Sequence, residues 1–246
     1  MKVLALDTTT RAGSVALVED DRIVGEQSGD GARTHALRLP DEILALARAH
    51  AWPLSHVDLY AVASGPGSFT GLRIGIATIQ GLASVHRRRI VGVPILDALA
   101  QAASRDLPAG ALIAAWMDAH RSEVFAALYR VGAAAGAGLV PLTEIEGATV
   151  GSPASTLARW GTLGASPSVF VGDGATLHAA DISKAWGDAR VLTPPALAGV
   201  IGRLAIARAA GALDPAAVRP FYVRRADVEI ARDEKLRTSE FRVTGN

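Results

Sequence analysis

The residues able to do chemistry stand at the ends of apolar runs. Asp7 closes the run Lys2–Asp7 and is followed by Thr8 and Thr9, and Asp118 closes a second such run, Ala111–Asp118. Acids at strand ends that face a crevice can hold a magnesium ion or a water; acids that cap their own turn sit at the same place, and both readings stay open. Between them lies Ser64-Gly65-Pro66-Gly67-Ser68. Glycine allows backbone angles a side chain forbids, and Pro66 stiffens the turn. A glycine turn that feeds a helix points N–H groups outward and can hold an anion. One Gly-x-Gly alone is weak, and its plain reading is a tight strand-to-helix turn without a ligand. Asp7, Thr8, Thr9, Gly65, Gly67 and Asp118 are therefore the residues that would face a nucleotide or phosphate.

Other chemistries are narrowed by what is missing. There is no cysteine, so no disulfide, thiolate nucleophile or cysteine metal site exists. No two of the six histidines stand three to five residues apart, so no metal is expected. No Gly-x-Ser-x-Gly elbow occurs.

Two helices must position the glycine turn. Asp58–Ala63 reads as a buried strand, Ser68 as a helix cap, and Phe69–Val85 as a helix whose one charge is Arg73. Leu72, Ile74, Ile76, Ile79, Leu82 and Val85 point in several directions, which predicts burial on more than one side. Gly71 and Gly75, with Thr78 next along, form a small face that lets another helix approach, from this chain or a partner. The second helix is capped by Thr34 and reaches about His50. Leu39, Ile43 and Leu46 with Leu37 and Leu44 give it a broad apolar stripe, and Pro40 predicts a kink or a later start. The two helices are expected side by side, meeting the equivalent pair of a partner in a four-helix contact. Gly71, Gly75 and Thr78 would lie at the closest approach if their face points outward. Leu72, Ile76 and Ile79 would carry the contact if it points inward. The expected interface is completed by Leu39, Ile43, Leu46 and Leu82.

The order of the remaining elements suggests a duplication. Ser14–Val18 and Arg22–Gln27 read as strands after the first acid, and Ile90–Val93 with Pro94–Ala103 as a strand and helix. After Asp106–Gly110 the pattern restarts: Ala111–Asp118, Glu123–Arg130 and Leu139–Ile145 as strands, with a small-residue loop Gly132–Gly138 before the third. A helix Pro153–Trp160 follows, then Val169–Val171 running into Gly172-Asp173-Gly174. Asp118 and Gly172 stand to this half as Asp7 and Gly65 stand to the first. The expected organisation is an α/β fold of two related lobes, 1–106 and 107–225, with a helix over Pro194–Ala210. The segment Val218–Val223 docks on the body, and 226–246 is a charged tail. Half of the 246 residues are apolar and the net charge is +1, which gives no general pull toward nucleic acid. The run His86-Arg87-Arg88-Arg89 reads as a solvated helix C-terminus. No apolar run reaches a membrane span and no leader pattern opens the chain, so a cytoplasmic protein without a membrane partner is expected.

These motifs resemble the acetate kinase, sugar kinase, Hsp70 and actin superfamily, in which each lobe is a mixed five-stranded sheet flanked by helices. Within it the chain is similar to the TsaB family, through Leu4-Ala5-Leu6-Asp7-Thr8-Thr9, Thr34-His35-Ala36 and, most specifically, Ser64 to Gly75. Pro220-Phe221-Tyr222-Val223-Arg224 resembles the family's closing motif. The resemblance covers the first lobe almost completely and the second loosely. It implies a non-catalytic dimerisation and activator subunit of the machinery that installs threonylcarbamoyl on N6 of adenosine 37 in ANN-decoding tRNAs. The implied partners are a TsaD-like catalytic subunit and a TsaE-like ATPase, with tRNA met only indirectly and a homodimer formed when the chain is alone. No intrinsic cofactor is implied, ATP or ADP belonging at most to a complex interface. The catalytic relative carries a His-x-x-x-His motif where this chain reads Val93 to Leu99 without histidine, and no Gly-Gly pair occurs anywhere. The rival readings are a free-standing small-molecule kinase or ATPase using Asp7, the Gly65–Gly67 turn and Asp118, and a metallopeptidase, which the missing histidine pair disfavours.

Overall fold

The computed structural model of the protein describes residues 1–133 and 138–224. The expected tail, 226–246, and the centre of the expected loop Gly132–Gly138 lie outside the described residues. The first half runs β1 (Lys2–Asp7), β2 (Ser14–Glu19), β3 (Arg22–Ser28), α1 (His35–Ala49), β4 (Leu59–Gly65), α2 (Phe69–His86), β5 (Arg89–Pro94) and α3 (Ile95–Ser104). The second runs β6 (Leu112–Asp118), β7 (Val124–Val131), β8 (Leu142–Gly151), α4 (Pro153–Thr162), β9 (Val169–Val171), α5 (Asp173–Leu177), α6 (Ala179–Ala185), β10 (Arg190–Leu192) and α7 (Ala198–Ala207).

The two sheets share one topology. The first has the order β3-β2-β1-β4-β5 and the second β8-β7-β6-β9-β10. In each, the opening three strands pair antiparallel and the last two add in parallel. The duplication read from Asp7/Asp118 and Gly65/Gly172 is thus present strand for strand.

Side-chain alternation along the strands gives each sheet two apolar faces. Leu4, Leu6, Val15 and Leu17 face α1 and α2, where they meet Leu39, Ile43, Ile76 and Ile79. Val3, Ala5, Ala16 and Val18 face the opposite way, onto α7 and α3. The second sheet turns Ile113, Ala115, Met117 and Phe125 into that same cluster. Its far face packs Trp116, Leu128 and Phe170 on Trp160 of α4 and Ile182 of α6. One helical layer therefore serves both sheets. α3 comes from the first half yet packs on β6, and α7 comes from the second half yet lies across β1 and β2.

Composition explains the close approach of α7. A side chain at Gly202 would meet Val18 Cγ2 at 2.6 Å and Ala5 Cβ at 3.4 Å. The start of α7 is capped from the other lobe, because Ser14 Oγ accepts from the N–H groups of Leu197 (3.2 Å) and Ala198 (3.0 Å). Glu26 accepts from the Gly199 N–H at 2.7 Å, a carboxylate at a helix N-terminus. Asp97 of α3 joins the layer at its edge, accepting from Tyr129 Oη (2.7 Å) and Arg208 Nη2 (2.8 Å).

Several expected bounds shift. Helix α1 begins at His35 and continues through Pro40, whose neighbourhood at Ala36 is exposed, so water can serve the carbonyl that loses its partner. The strand expected over Leu139–Ile145 lies at Leu142–Gly151, and the last helix is Ala198–Ala207, starting after Pro195. α5, α6 and β10 have no counterpart in the sequence reading.

Gly202→Val should lower stability by about 1–3 kcal/mol, the usual effect of overfilling a packed contact. Urea unfolding followed by far-UV circular dichroism measures it, and an unchanged midpoint would show that α7 can move off the sheet freely.

Candidate functional site

The glycine turn is closed by the chain itself. Gly65 has φ of 119° and Gly67 of 155°. A side chain at Gly65 would collide with the Phe221 carbonyl oxygen, and one at Gly67 would come within 3.0 Å of Thr9 Cα. The Phe221 N–H donates to the Ser64 carbonyl at 2.7 Å, and the Ser68 N–H to the Thr9 carbonyl at 2.9 Å. Ser68 caps α2 as expected, its Oγ accepting from the Gly71 N–H at 3.2 Å. Thr8 sits over the next turn: a Cβ at Gly71 would strike its carbonyl oxygen and one at Gly75 its Oγ1. Thr8 and Thr9 are 0% and 3% exposed. Thr8 and Thr9 thus pack directly on the glycines of the turn and of α2. Gly65, Gly67, Thr8 and Thr9 face their own chain rather than an open cradle.

The strand-end acids are held by their own turns. Asp7 Oδ1 accepts from Thr9 N–H (2.8 Å) and Thr9 Oγ1 (2.6 Å). Burial pushes the Asp7 carboxyl above the ordinary range, against those two hydrogen bonds, and the charge of Asp173 adds to the rise. Asp173 is also raised by burial, while its Oδ1 accepts from the N–H groups of Asp118 (3.0 Å) and Gly174 (2.8 Å). Asp118 accepts from the His120 N–H at 2.7 Å. Asp173 is thus tied to Asp118 by a hydrogen bond and acts on Asp7 through its charge, and it is the member that the sequence reading missed. Among the described residues no group of three or more His, Asp or Glu is placed to hold a metal ion.

A buried clamp fixes the β1–β2 turn from the other side. His35 Nε2 lies 2.9 Å from the Thr10 carbonyl and Nδ1 lies 2.9 Å from Arg38 Nη2. A neutral ring with its proton on Nε2 satisfies both contacts, and burial lowers the His35 pKa in keeping with this. Arg38 is 1% exposed; it pairs with Glu42 at 2.6 Å and donates to the Ala12 carbonyl.

The expected interface residues are redistributed. Leu39, Ile43, Leu46, Gly71, Leu72, Gly75, Ile76 and Ile79 are all buried in this chain, packed on its own first sheet or on Thr8. The reason is the inward direction of the glycine face, which draws the flanking large residues onto the sheet with it. Thr78 and Leu82 remain half-buried. The outward face of α2 is Thr70, Ala77, Gly81 and Val85, the last 77% exposed. Leu37 at 66% and Leu44 at 39% are the large apolar residues that α1 leaves outside.

The returning segment after α7 spans both lobes. Leu213 pairs with Ile90, Phe221 reaches Ser64, and Arg224 Nη1 donates to the Ala119 carbonyl at 2.9 Å. Tyr222 stacks on Phe69, with ring centroids 5.1 Å apart. The docking of Val218–Val223 was legible as a segment; its target, the mouth of the glycine turn, was not.

Two lobes of one topology around a shared helical layer define a protein of the acetate kinase, Hsp70 and actin class. A family model described as TsaD, tRNA N6-adenosine threonylcarbamoyltransferase, matches residues 27–231. The tRNA threonylcarbamoyladenosine biosynthesis protein TsaB of Escherichia coli is 38% identical over 53% of this chain and 55% of its own length. The Haemophilus influenzae protein of that name is 41% identical over 51% and 52%. The match thus spans about half the length of these curated relatives. A Pseudomonas aeruginosa crystal structure, of an uncharacterized protein with similarity to peptidase YeaZ, superposes with a TM-score of 0.74. It is 30% identical over 91% of this chain and 99% of that one. YeaZ from the same organism gives 0.69 and 28% over 90% and 99%. The chain belongs to the TsaB (YeaZ) family, within the range of the TsaD model.

The raised pKa of Asp7 has a stability consequence with a definite sign. The unfolded carboxyl ionises near 3.8, the folded one higher, so the folded state binds more protons between the two values. Stability falls as pH rises through that window and stays lowered above it. Asp7→Asn keeps an acceptor for Thr9 and removes the charge. Its melting temperature should exceed the parent's at pH 7, by a margin that shrinks toward pH 4. A margin independent of pH would show that Asp7 is not held up by burial.

Proposed function

We propose that this chain is the non-catalytic dimerisation and activator subunit of the assembly that installs threonylcarbamoyl on N6 of adenosine 37 in ANN-decoding tRNAs. The observation that carries the reading is the seating of Thr8 on Gly71 and Gly75 and of Thr9 on Gly67. It closes the turn at which a free-standing kinase or ATPase of this fold would hold a phosphate. The absence of histidine from Val93 to Leu99 supports the same view. Asp97 in that stretch is engaged with Tyr129 and Arg208. The catalytic step then belongs to a TsaD-like partner, a TsaE-like ATPase joins the complex, and any ATP or ADP sits where subunits meet. The setting is the cytoplasm.

The docking face follows from what α1 and α2 leave outside. Leu37, Leu44, Ala77, Gly81 and Val85 form an apolar, small-residue surface, and Gly81 has open space where a side chain would stand. A helix pair from the catalytic partner fits this face, and in its absence a second copy of the chain does, about a twofold axis. One observation favours the kinase reading: the charge of Asp173 is felt at Asp7, so the two carboxylates belong to one neighbourhood. Saturable ATP binding by the isolated chain would establish that reading instead.

Gly81→Arg combined with Val85→Asp changes only outward positions, so the variant should melt within about 0.5 kcal/mol of the parent, as surface substitutions do. It should be monomeric by light scattering and fail to co-elute with a TsaD-like subunit. Normal pairing by the variant would place the interface elsewhere. The purified parent should show no threonylcarbamoyl transfer, peptide cleavage or sustained ATP hydrolysis. Turnover that scales with this protein through purification would overturn the proposal.

A further inference from the structure

Beside the outward face of α2 lies a cavity of about 410 Å³ between that helix and the returning segment. Its floor is Ile76, Ala77 and Val218, and its rim carries Arg73, Arg219 and Tyr222. Among the described residues no carboxylate lines it. Arg73 is the one charge from Phe69 to Val85, and 215–224 contains Arg219 and Arg224 but no acid.

Both rim guanidiniums are held by uncharged partners. Arg73 lies over the Phe69 ring at 4.0 Å and donates from Nε to Tyr222 Oη at 3.2 Å. That pair of contacts fixes the plane of its fork before any ligand arrives. Arg219 donates from Nη1 to the carbonyls of Ala216 and Val218. Around them Phe69, Phe221 and Tyr222 are 39%, 47% and 37% exposed. Among the described residues, three exposed aromatic rings beside two cations, with no carboxylate lining the cavity, form a surface that the core does not use.

We propose that this cavity receives one nucleotide of a single-stranded RNA region, so that the chain touches RNA directly. The inference rests on the reading of the chain as part of a tRNA-modifying assembly. It departs from the expectation that tRNA is met only through the partner. A phosphate answers the two guanidiniums, and a base answers the rings and the apolar floor. An acidic peptide would satisfy the cations and leave the aromatic surface in water. A base within a duplex has both faces covered, so only an unpaired one can enter. The cavity volume lies within the size range of small-ligand pockets, enough for one nucleotide and not for a helix.

The test is fluorescence anisotropy with a labelled tRNA anticodon hairpin, its loop sequence closed in a duplex, and labelled ADP. The full-length chain is titrated alone and together with a TsaD-like subunit. The parent should bind the hairpin and not the duplex. Arg73→Ala with Arg219→Ala should weaken binding about tenfold or more and reduce the slope of log K against log salt by about 0.7, the one single-strand phosphate that both guanidiniums hold. Tyr222→Ala should weaken it about tenfold through the lost stack, whereas Tyr222→Phe, which keeps the ring and loses only the bond to Arg73, should weaken it less. Arg219→Ala alone changes an exposed side chain and serves if the double variant fails to fold. A folded double variant that binds like the parent would overturn the proposal, as would ADP binding without RNA binding. Loss of partner binding in place of RNA binding would overturn it in favour of a protein surface. Pairing with the partner, read by light scattering in the same samples, separates the two proposals: sensitive RNA binding without pairing would leave this one standing and remove the complex reading.

Discussion

The first lobe depends on Thr8 lying on the glycine face of α2, with Thr9 against Gly67 just before it. Gly71 and Gly75 have no Cβ; the Thr8 carbonyl occupies the space a side chain would need at the first, and the Thr8 side chain that at the second. The Ser68–Thr9 hydrogen bond pins the helix start to the end of β1. From the other side His35 and Arg38 hold Thr10 and Ala12. With the turn gripped by both helices, Ile76 and Ile79 reach the sheet from α2, and Leu39 and Ile43 reach it from α1. Each such side chain contributes about 1.5–3 kcal/mol through burial. The contact that closes the glycine turn is therefore also the one that decides which helix faces are left outside.

The second lobe repeats the topology and uses glycine at the same place, with a different outcome. A side chain at Gly172 would strike the Trp116 carbonyl, and one at Gly174 would lie 2.8 Å from the Asp118 N–H. The helix that follows is only Asp173–Leu177, broken at His178 and resumed in α6. It is too short to offer an outer face comparable with α2. Duplication has kept the strand order and the strand-end acids in both halves, while the long paired helices exist in one. The halves are bound by exchange: α3 and α7 each pack on the sheet of the opposite half, and Ser14 caps a helix from across the fold.

Much of this was legible because it is local. Apolar runs marked β1, β4 and β6, Ser68 marked the start of α2, and the order of acids and glycines marked the duplication. The failures share a physical origin in long-range contacts. β8 is an edge strand with exposed residues at Thr143–Ile145, so hydrophobicity did not fix its bounds. α5, α6 and β10 are too short for periodicity to show. The direction of the Gly71–Gly75 face cannot be deduced from a helix that is apolar all round; it is set by Thr8, more than sixty residues earlier in the chain. Asp173 escaped notice because Gly172-Asp173-Gly174 read as turn residues, though the pairing with Asp118 was available from the duplication.

Helix α2 ends up with three unlike faces that the sequence wrote as one apolar stretch. The inner face is glycine and large aliphatics, and it is committed to the β1 turn and the sheet. The outer face is small, with Ala77 and Gly81 exposed. The flank toward the returning segment carries Arg73 stacked on Phe69, and Gln80, whose side-chain nitrogen donates to the Pro215 and Val218 carbonyls at 2.8 and 3.2 Å. The segment anchored by Gln80 is the same one whose Phe221 N–H meets Ser64 and whose carbonyl excludes a side chain at Gly65. The turn, the helix and the returning segment thus form one closed circuit of contacts. A molecule bound against Tyr222 or along the outer face of α2 would press on that circuit, because each of its three parts is held by the other two. Sites on separate faces of this helix are mechanically connected without any need for the lobes to open.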